Sequence, residues 1–178
     1  MSAVLKAAHR RELLIGCGGK REKHVKFDGI PPVFQDLVTL DIEPSHKPDV
    51  VWDLNTLPYP FADEEFDEIH AYEVLEHCGR QGDIKFFFAQ FEEFHRILKP
   101  GGFFCASVPA WDGEWAWADP GHTRIIAPKT LMFLEQKFYE TQVGVSAASD
   151  YRSMYKGNFE TIGMQESGPQ FFFILKKV

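Results

Sequence analysis

The chain has 178 residues, a formal net charge of -7 and 17 phenylalanines, which is the size and composition of one packed globular domain. The negative charge disfavours sequence-independent binding to nucleic acid, because such binding usually needs a basic surface. The three cysteines are scattered, and no apolar run approaches the length of a membrane span or a secretory leader. We therefore expect a cytoplasmic protein with neither a disulfide framework nor a membrane partner.

Strand-like apolar runs alternate with helix-like segments in the first part of the chain, which is the pattern of a parallel sheet covered by helices. The predicted strands in this part lie at 12–16, 37–41, 50–53, 66–71 and 103–108. Between the last two strands, Asp83 is a suitable N-cap for an amphipathic helix that extends to Leu98. The segment Lys99-Pro100-Gly101-Gly102 then ends the helix and leads into the next strand.

The chain beyond Pro109 has a different pattern. Residues 111–121 form a predicted loop rich in tryptophan, of the kind in which binding residues concentrate. A helix is predicted over 128–138, followed by two strands at 158–166 and 170–177 joined by a hairpin turn at Ser167-Gly168-Pro169. Residues 1–178 are therefore expected to form a single α/β domain.

The first predicted strand ends in a glycine loop, Gly16-Cys17-Gly18-Gly19, and the second ends in Asp41. Glycines let a ligand approach bare backbone, and a carboxylate in this place accepts hydrogen bonds from ribose hydroxyls in nucleotide-binding folds. The pattern indicates a cofactor that contains adenosine. A nicotinamide dinucleotide is disfavoured, because its fingerprint needs a third glycine where this chain has Arg21. An ordinary tight turn and a solvated Asp41 are the alternatives.

Several cations follow the glycine loop. Lys20 and Arg21 could pair with the carboxylate of a cofactor or with an anionic substrate. For Lys23 and Lys26 a solvated helix face is the favoured interpretation.

Short motifs follow one another in a set order along the chain. They are Gly16-Cys17-Gly18, Asp41, Asp53-Leu54, Leu57-Pro58-Tyr59-Pro60-Phe61, Phe66-Asp67-Glu68-Ile69, Val74-Leu75-Glu76-His77 and Ile97-Leu98-Lys99-Pro100-Gly101-Gly102. In this order and spacing the chain resembles the class I S-adenosylmethionine-dependent methyltransferases, most of all the small type 11 methyltransferase-domain group. Residues 12–109 carry most of the resemblance, and Asp119-Pro120-Gly121-His122-Thr123-Arg124 resembles a further motif of that group.

The resemblance implies a Rossmann-like, doubly wound, mostly parallel seven-stranded sheet with an antiparallel C-terminal hairpin, and S-adenosylmethionine as the cofactor. It implies that Asp41 holds the ribose hydroxyls and that Asp53 with Leu54 lies against the adenine, although Asp53 could equally cap a turn. The implied cofactor-binding residues are Gly16, Cys17, Gly18, Asp41, Ile42, Asp53, Leu54 and Glu73. The chain departs from the family pattern at Leu14, where an acid is common, and at Lys20, where a third glycine is common.

The sulfonium of S-adenosylmethionine is already activated, so the enzyme mainly aligns an acceptor and, where needed, removes a proton. We predict His122, Glu73 and Asp119 as catalytic residues, with His77 as a further candidate proton acceptor. His122 is favoured because it follows the aromatic loop. The alternatives are a structural role for His122 and, for Glu73, that of an exposed acid at the start of a helix.

Two further groups allow less specific interpretations. The tryptophans of the loop could form a wall for the acceptor or could pack as an apolar cluster; they are Trp111, Trp115 and Trp117. Glu76-His77-Cys78 lacks the partner residues of a metal site, so helix capping or packing is favoured and no metal is predicted.

The predicted function is methyl transfer from S-adenosylmethionine to an unidentified acceptor, expected to be a small molecule or a glycan precursor. The alternative is a non-catalytic protein on the same fold that binds the cofactor or acts as a scaffold. Leu14, Lys20 and the absence of an acceptor motif such as Asn-Pro-Pro-Tyr favour that alternative. A nicotinamide-dependent oxidoreductase is the third class. Fold alone does not decide among them, because this architecture carries many functions.

Overall fold

A computed structural model describes residues 9–28 and 30–178. The strands are β1 (Arg11–Ile15), β2 (Asp36–Asp41), β3 (Val50–Val51), β4 (Phe66–Tyr72), β5 (Leu98–Pro109), β6 (Phe159–Ser167) and β7 (Gln170–Lys177). The α-helices are α1 (Ile84–Ile97), α2 (Trp115–Ala118), α3 (Pro128–Leu131) and α4 (Gln136–Gln142). Turns of 3-10 helix lie at Pro44–His46, Leu75–His77 and Met132–Leu134.

The strands form one seven-stranded sheet in the order β3-β2-β1-β4-β5-β7-β6. Neighbouring strands from β3 to β5 are parallel, whereas β7 runs antiparallel to both β5 and β6. The predicted mostly parallel sheet with an antiparallel C-terminal hairpin is therefore confirmed. Within the described ranges, no helix combines the length and apolar character needed to cross a membrane.

Helix α1 covers one face of the sheet, as its apolar spacing predicted. Asp83 caps it, since a carboxylate oxygen accepts a hydrogen bond of 3.0 Å from the amide of Phe86. The helix contributes aromatic and aliphatic side chains to the main core, where they meet residues of β5 and β7; those of the helix are Phe88, Phe91, Phe94 and Ile97.

The predicted helix over 128–138 is interrupted. Glu135 is extended, with φ of -104° and ψ of 119°, and it separates the Met132–Leu134 turn from α4. A carboxylate oxygen of Glu135 accepts from the amide of Thr161 at 3.0 Å, and the amide of Gln136 donates to Asn158 at 2.9 Å. These bonds join Glu135 and Gln136 to β6 and to Asn158, which precedes it. They stabilise a break in the helix that the helical periodicity of the sequence alone does not reveal.

The other face of the sheet is covered differently from what the alternating pattern predicted. The described residues between β1 and β2 contain no helix. Instead, Val25 and Ile30 pack on Cys105 and Ile174 of the sheet. The predicted solvated helix face was wrong for Lys23, whose side chain is fully buried, although Lys26 is exposed.

Lys23 lies in a charged cluster at the centre of that face. Glu12 of β1 and Glu68 of β4 are paired across the two strands and fully buried. The ammonium of Lys23 forms an ion pair with Glu12 and another of 2.7 Å with Glu68. Arg10, at 2.7 Å, and His70, at 3.0 Å, also bind Glu68. Burial raises the pKa of Glu68, but hydrogen bonds from His70 and Lys23 outweigh it and lower the pKa to about 2.

Candidate functional site

The glycine loop directly follows β1 and is built on left-handed backbone. Gly16 has φ of 60° and Gly18 has φ of 50°. A Cβ atom added to Gly16 would lie 2.3 Å from Cγ2 of Val74, whereas one added to Gly18 would meet no atom within 4 Å. Gly16 is therefore required for close packing, while Gly18 leaves bare backbone exposed to a cavity of about 260 Å³ that the loop lines with His24 and Tyr72.

This difference predicts unequal effects of two matched substitutions. Gly16→Ala is expected to lower the free energy of unfolding by about 2–5 kcal/mol, because left-handed strain of about 1–2 kcal/mol adds to overpacking of about 1–3 kcal/mol. Gly18→Ala should cost only the strain, about 1–2 kcal/mol. Urea denaturation of both variants measures the difference, and equal losses would contradict the packing role of Gly16.

Asp41 lies at the carboxyl end of β2 and touches the glycine loop. Its Oδ2 accepts a hydrogen bond of 2.8 Å from the amide of Gly18, and its Oδ1 accepts one of 2.9 Å from the amide of Glu43. Burial raises the pKa of Asp41, but these amides and His46 outweigh it and lower the pKa. A carboxylate has about four acceptor positions. The two amides and His46, 3.4 Å from Oδ1, take up to three of them, so this ionised group can still accept from one hydroxyl.

The side chain of Arg21 stabilises the glycine loop through hydrogen bonds to its carbonyl groups. Its guanidinium donates to the carbonyl of Gly18 at 2.7 Å and, more weakly, to that of Cys17 at 3.3 Å. The other terminal nitrogen donates to the carbonyl of His46 at 3.0 Å, beyond β2. Arg21, which stands where the dinucleotide fingerprint has its third glycine, thus joins the glycine loop to the turn that follows Asp41.

The residues predicted on the adenine side of the cofactor differ in their exposure and in their hydrogen bonds. Ile42, next to Asp41, is 64% exposed and offers apolar surface at the carboxyl end of β2. Asp53 Oδ1 accepts from the amide and the side chain of Asn55, at 2.8 and 3.0 Å, so Asp53 does stabilise a turn. Leu54 is buried, and its carbonyl accepts from the Tyr59 hydroxyl at 3.1 Å.

Glu73 directly follows β4 and has a left-handed backbone, with φ of 50°. For a residue other than glycine, such a conformation costs about 1–3 kcal/mol and is common at functional sites. Its amide donates to the carbonyl of Ser107 at 2.9 Å, and the Ser107 hydroxyl donates to its carboxylate at 2.7 Å. The buried Ser107, which the sequence did not single out, therefore holds the Glu73 carboxylate in place.

Beyond Glu73, the structure brings together three of the predicted proton acceptors. Nε2 of His122 lies 3.9 Å from a carboxylate oxygen of Asp119, and the rings of His122 and His77 are 4.8 Å apart. Glu76, which the sequence assigned to capping or packing, is 3% exposed beside them. Burial raises the pKa of Glu76 to about 8.

Backbone contacts hold this region together. The amide of Thr123 donates to the carbonyl of Glu76 at 2.9 Å, which joins the loop after β5 to the Leu75–His77 turn. The buried guanidinium of Arg124 donates to the carbonyl of Leu75 at 2.8 Å and also binds Gln90 of α1. His122 is therefore placed by a network that reaches the core.

The tryptophans surround a neighbouring opening. Trp111 and Trp117 are 44% and 73% exposed, and the indole of Trp117 donates to the carbonyl of Trp111 at 3.3 Å. Both line a cavity of about 330 Å³ with His122. Trp115 is also largely exposed. These exposures favour a wall around a ligand over a buried apolar cluster.

Comparison with known proteins agrees with this architecture. No curated protein matches the sequence. A solved S-adenosylmethionine-dependent methyltransferase from Archaeoglobus fulgidus is 17% identical, with a TM-score of 0.58 over 96% of this chain and 87% of that one. A Burkholderia thailandensis 1,6-didemethyltoxoflavin-N1-methyltransferase, solved with its substrate and S-adenosylhomocysteine, is 14% identical, with a TM-score of 0.57 over 95% and 71%.

A protein named for a different activity has a similar fold. The [4+2]-cyclase SpnF is 14% identical, with a TM-score of 0.55 over 94% of this chain and 74% of that one. At such identities the solved structures show the fold alone. The sequence evidence is more specific, since the model of the type 11 family described as "Methyltransferase domain" matches residues 13–106. The resemblance to class I methyltransferases, with S-adenosylmethionine as the family's cofactor, is confirmed, and the chain belongs to this methyltransferase-domain family.

Proposed function

We propose that the chain binds S-adenosylmethionine at the carboxyl ends of β1, β2 and β4 and transfers its methyl group to an acceptor. The observation that carries the proposal is the bond of 2.8 Å between the amide of Gly18 and Asp41. It places an ionised carboxylate against an exposed glycine backbone at the place where nucleotide-binding folds hold ribose and its neighbouring groups.

The residues present fit the cofactor. Asp41 keeps acceptor capacity for a ribose hydroxyl, Ile42 offers exposed apolar surface for a ring, and Gly16 to Gly18 line a cavity. Cys17 would contribute its backbone there. Asp53 and Leu54 would contribute on the adenine side, and Glu73 near the methyl group. When bound, the cofactor supplies an activated methyl group, so the protein's main tasks are alignment and proton removal.

We infer that the acceptor enters the 330 Å³ cavity beside His122. Its volume and its Trp111 and Trp117 lining suit a small molecule or one sugar unit of a glycan precursor. The Burkholderia neighbour is named as the N1-methyltransferase of a small molecule, 1,6-didemethyltoxoflavin. His122 lines this cavity and Asp119 lies 3.9 Å from its Nε2, so we propose these two as the proton acceptors, while Ser107 holds the carboxylate of Glu73.

Residues 1–178 would act as one domain, because the described strands form one sheet, and the proposed location of the chain is the cytoplasm. A non-catalytic cofactor-binding protein remains the second candidate. Leu14 and Lys20, where the family pattern commonly has an acid and a glycine, are the observations that favour it.

The test is a calorimetric titration of the purified chain with S-adenosylmethionine and with S-adenosylhomocysteine. Saturable binding of both is expected, and no binding of either would overturn the proposal. Release of S-adenosylhomocysteine across a panel of hydroxylated and nitrogen-containing acceptors then separates the two candidates. Turnover supports the transferase, whereas binding without turnover across the panel supports the non-catalytic protein.

A further inference from the structure

Three side chains with metal-binding atoms converge beside the proposed methyl-transfer site. Glu76 and His77 come from the Leu75–His77 turn, and His122 comes from the loop after β5. Taking one ligand atom from each, the three atoms all lie within 4.8 Å of one another. In a tetrahedral site with bonds of about 2.0–2.1 Å, the ligand atoms lie about 3.4 Å apart, so side-chain adjustments of up to about 1.5 Å complete the site.

Two polar atoms of this cluster are left without partners. Oε2 of Glu76 and Nδ1 of His122 are buried, and neither has a hydrogen-bond partner among the described residues. Glu76 is 3% exposed, so water does not compensate its carboxylate. Buried polar atoms without partners are rare and destabilising, and a cation bound by both atoms would satisfy them.

His77 is already oriented as a ligand. Its Nδ1 lies 3.0 Å from the carbonyl of Gly121, so Nδ1 carries the hydrogen and Nε2 keeps a free lone pair. Metal-binding histidines commonly donate their second ring N–H to a carbonyl in this way, which fixes the tautomer and the ring orientation. The backbone bond between Thr123 and Glu76 holds the two segments in register.

The surrounding charges also favour a cation. Glu73 and Asp119 add negative charge near Glu76, and Arg124 adds positive charge. The cluster of Glu12, Glu68 and His70 has a comparable set of ligand atoms. There, however, the ammonium of Lys23 already binds both carboxylates. Among the described residues, no such ammonium is bound to Glu76.

We propose that Glu76, His77 and His122 bind one divalent first-row metal ion, such as Zn²⁺ or Mn²⁺. Two imidazoles and one carboxylate suit these ions better than Mg²⁺ or Ca²⁺, which prefer all-oxygen sites. Three protein ligands leave a coordination position open. Because His122 also lines the 330 Å³ cavity, an oxygen of the acceptor could take that position, and Asp119 rather than the metal-bound His122 would then accept the proton. This use of the ion rests on the proposed function, whereas metal binding itself does not.

The test uses the full chain, treated with a chelator and then titrated with Zn²⁺ by calorimetry and with Co²⁺ by visible absorption. Binding of one ion per chain is expected, with a cobalt spectrum typical of nitrogen and oxygen ligands. Glu76→Gln and His122→Ala should each weaken binding more than tenfold, whereas His9→Ala, at an exposed histidine outside the cluster, should not. Circular dichroism confirms that the variants are folded.

Titration of the parent chain tests the metal site even where a variant fails to fold. Absence of one-to-one binding, or parental affinity in both folded ligand variants, would overturn the metal site. The same samples are titrated with S-adenosylmethionine. Cofactor binding without metal binding contradicts only this inference, and metal binding without cofactor binding contradicts only the proposed function.

Discussion

Lys23→Met is expected to lower the free energy of unfolding by about 3–5 kcal/mol, because it removes the cation shared by two buried carboxylates. Glu12 and Glu68 are direct neighbours across β1 and β4, and both are fully buried. Without Lys23, Glu12 loses its ion pair, while Glu68 keeps Arg10 and His70. Urea denaturation of the variant and the parent measures the loss.

Lys26→Met is the matched control, since Lys26 lies three positions farther along the same segment and is exposed. It should change stability by less than about 0.5 kcal/mol. Adding Glu12→Gln to Lys23→Met should recover part of the loss, because it removes the carboxylate that was left without a cation. Equal effects of Lys23→Met and Lys26→Met would contradict the structural role of the buried cluster.

Asp41→Ala is expected to weaken the binding of S-adenosylmethionine about 10- to 100-fold. This corresponds to about 1.5–3 kcal/mol, the contribution of one hydrogen bond to a charged group. The variant also removes the acceptor for the amides of Gly18 and Glu43 and so loosens the glycine loop. Asp41→Asn keeps the size of the side chain and one acceptor oxygen, and it should give an intermediate affinity.

Asp36→Ala is the control for this measurement, because Asp36 lies at the opposite end of the same strand and its carboxylate pairs, among the described residues, only with partly exposed Arg11. The affinity of the Asp36→Ala variant for S-adenosylmethionine should equal that of the parent chain. Calorimetric titration of Asp41→Ala, Asp41→Asn and Asp36→Ala with S-adenosylmethionine measures the order of their affinities. If Asp41→Ala kept the affinity of the parent while remaining folded, the ribose assignment would be wrong.

Local patterns were sufficient to predict most of the sheet. The apolar run before Gly16, the run that ends at Asp41 and the N-cap at Asp83 each depend on neighbours in the sequence, and all three lie where they were predicted. The family resemblance supplied the number of strands and the antiparallel C-terminal hairpin. The break at Glu135 was missed because its partners, Thr161 and Asn158, come from the C-terminal part of the chain.

The buried position of Lys23 could not be predicted for a similar reason. Lysine near a polar segment is usually exposed, and only the path of residues 16–35 over the sheet places it between Glu12 and Glu68. The cluster of candidate metal ligands could not be predicted from the sequence for the same reason. Glu76-His77 appeared to lack a partner because His122 follows a different strand, and only the fold brings the three together.

The exposed tryptophans make intrinsic fluorescence a probe of ligand binding to this chain. Of its four tryptophans, Trp111, Trp115 and Trp117 lie in one short segment, and two of these line the cavity beside His122. The fourth, Trp52, has its indole bound to the carbonyl of Thr56. Half of the tryptophans therefore lie at the proposed acceptor cavity, so quenching or a change of emission wavelength can screen unlabelled candidate acceptors before any turnover is measured.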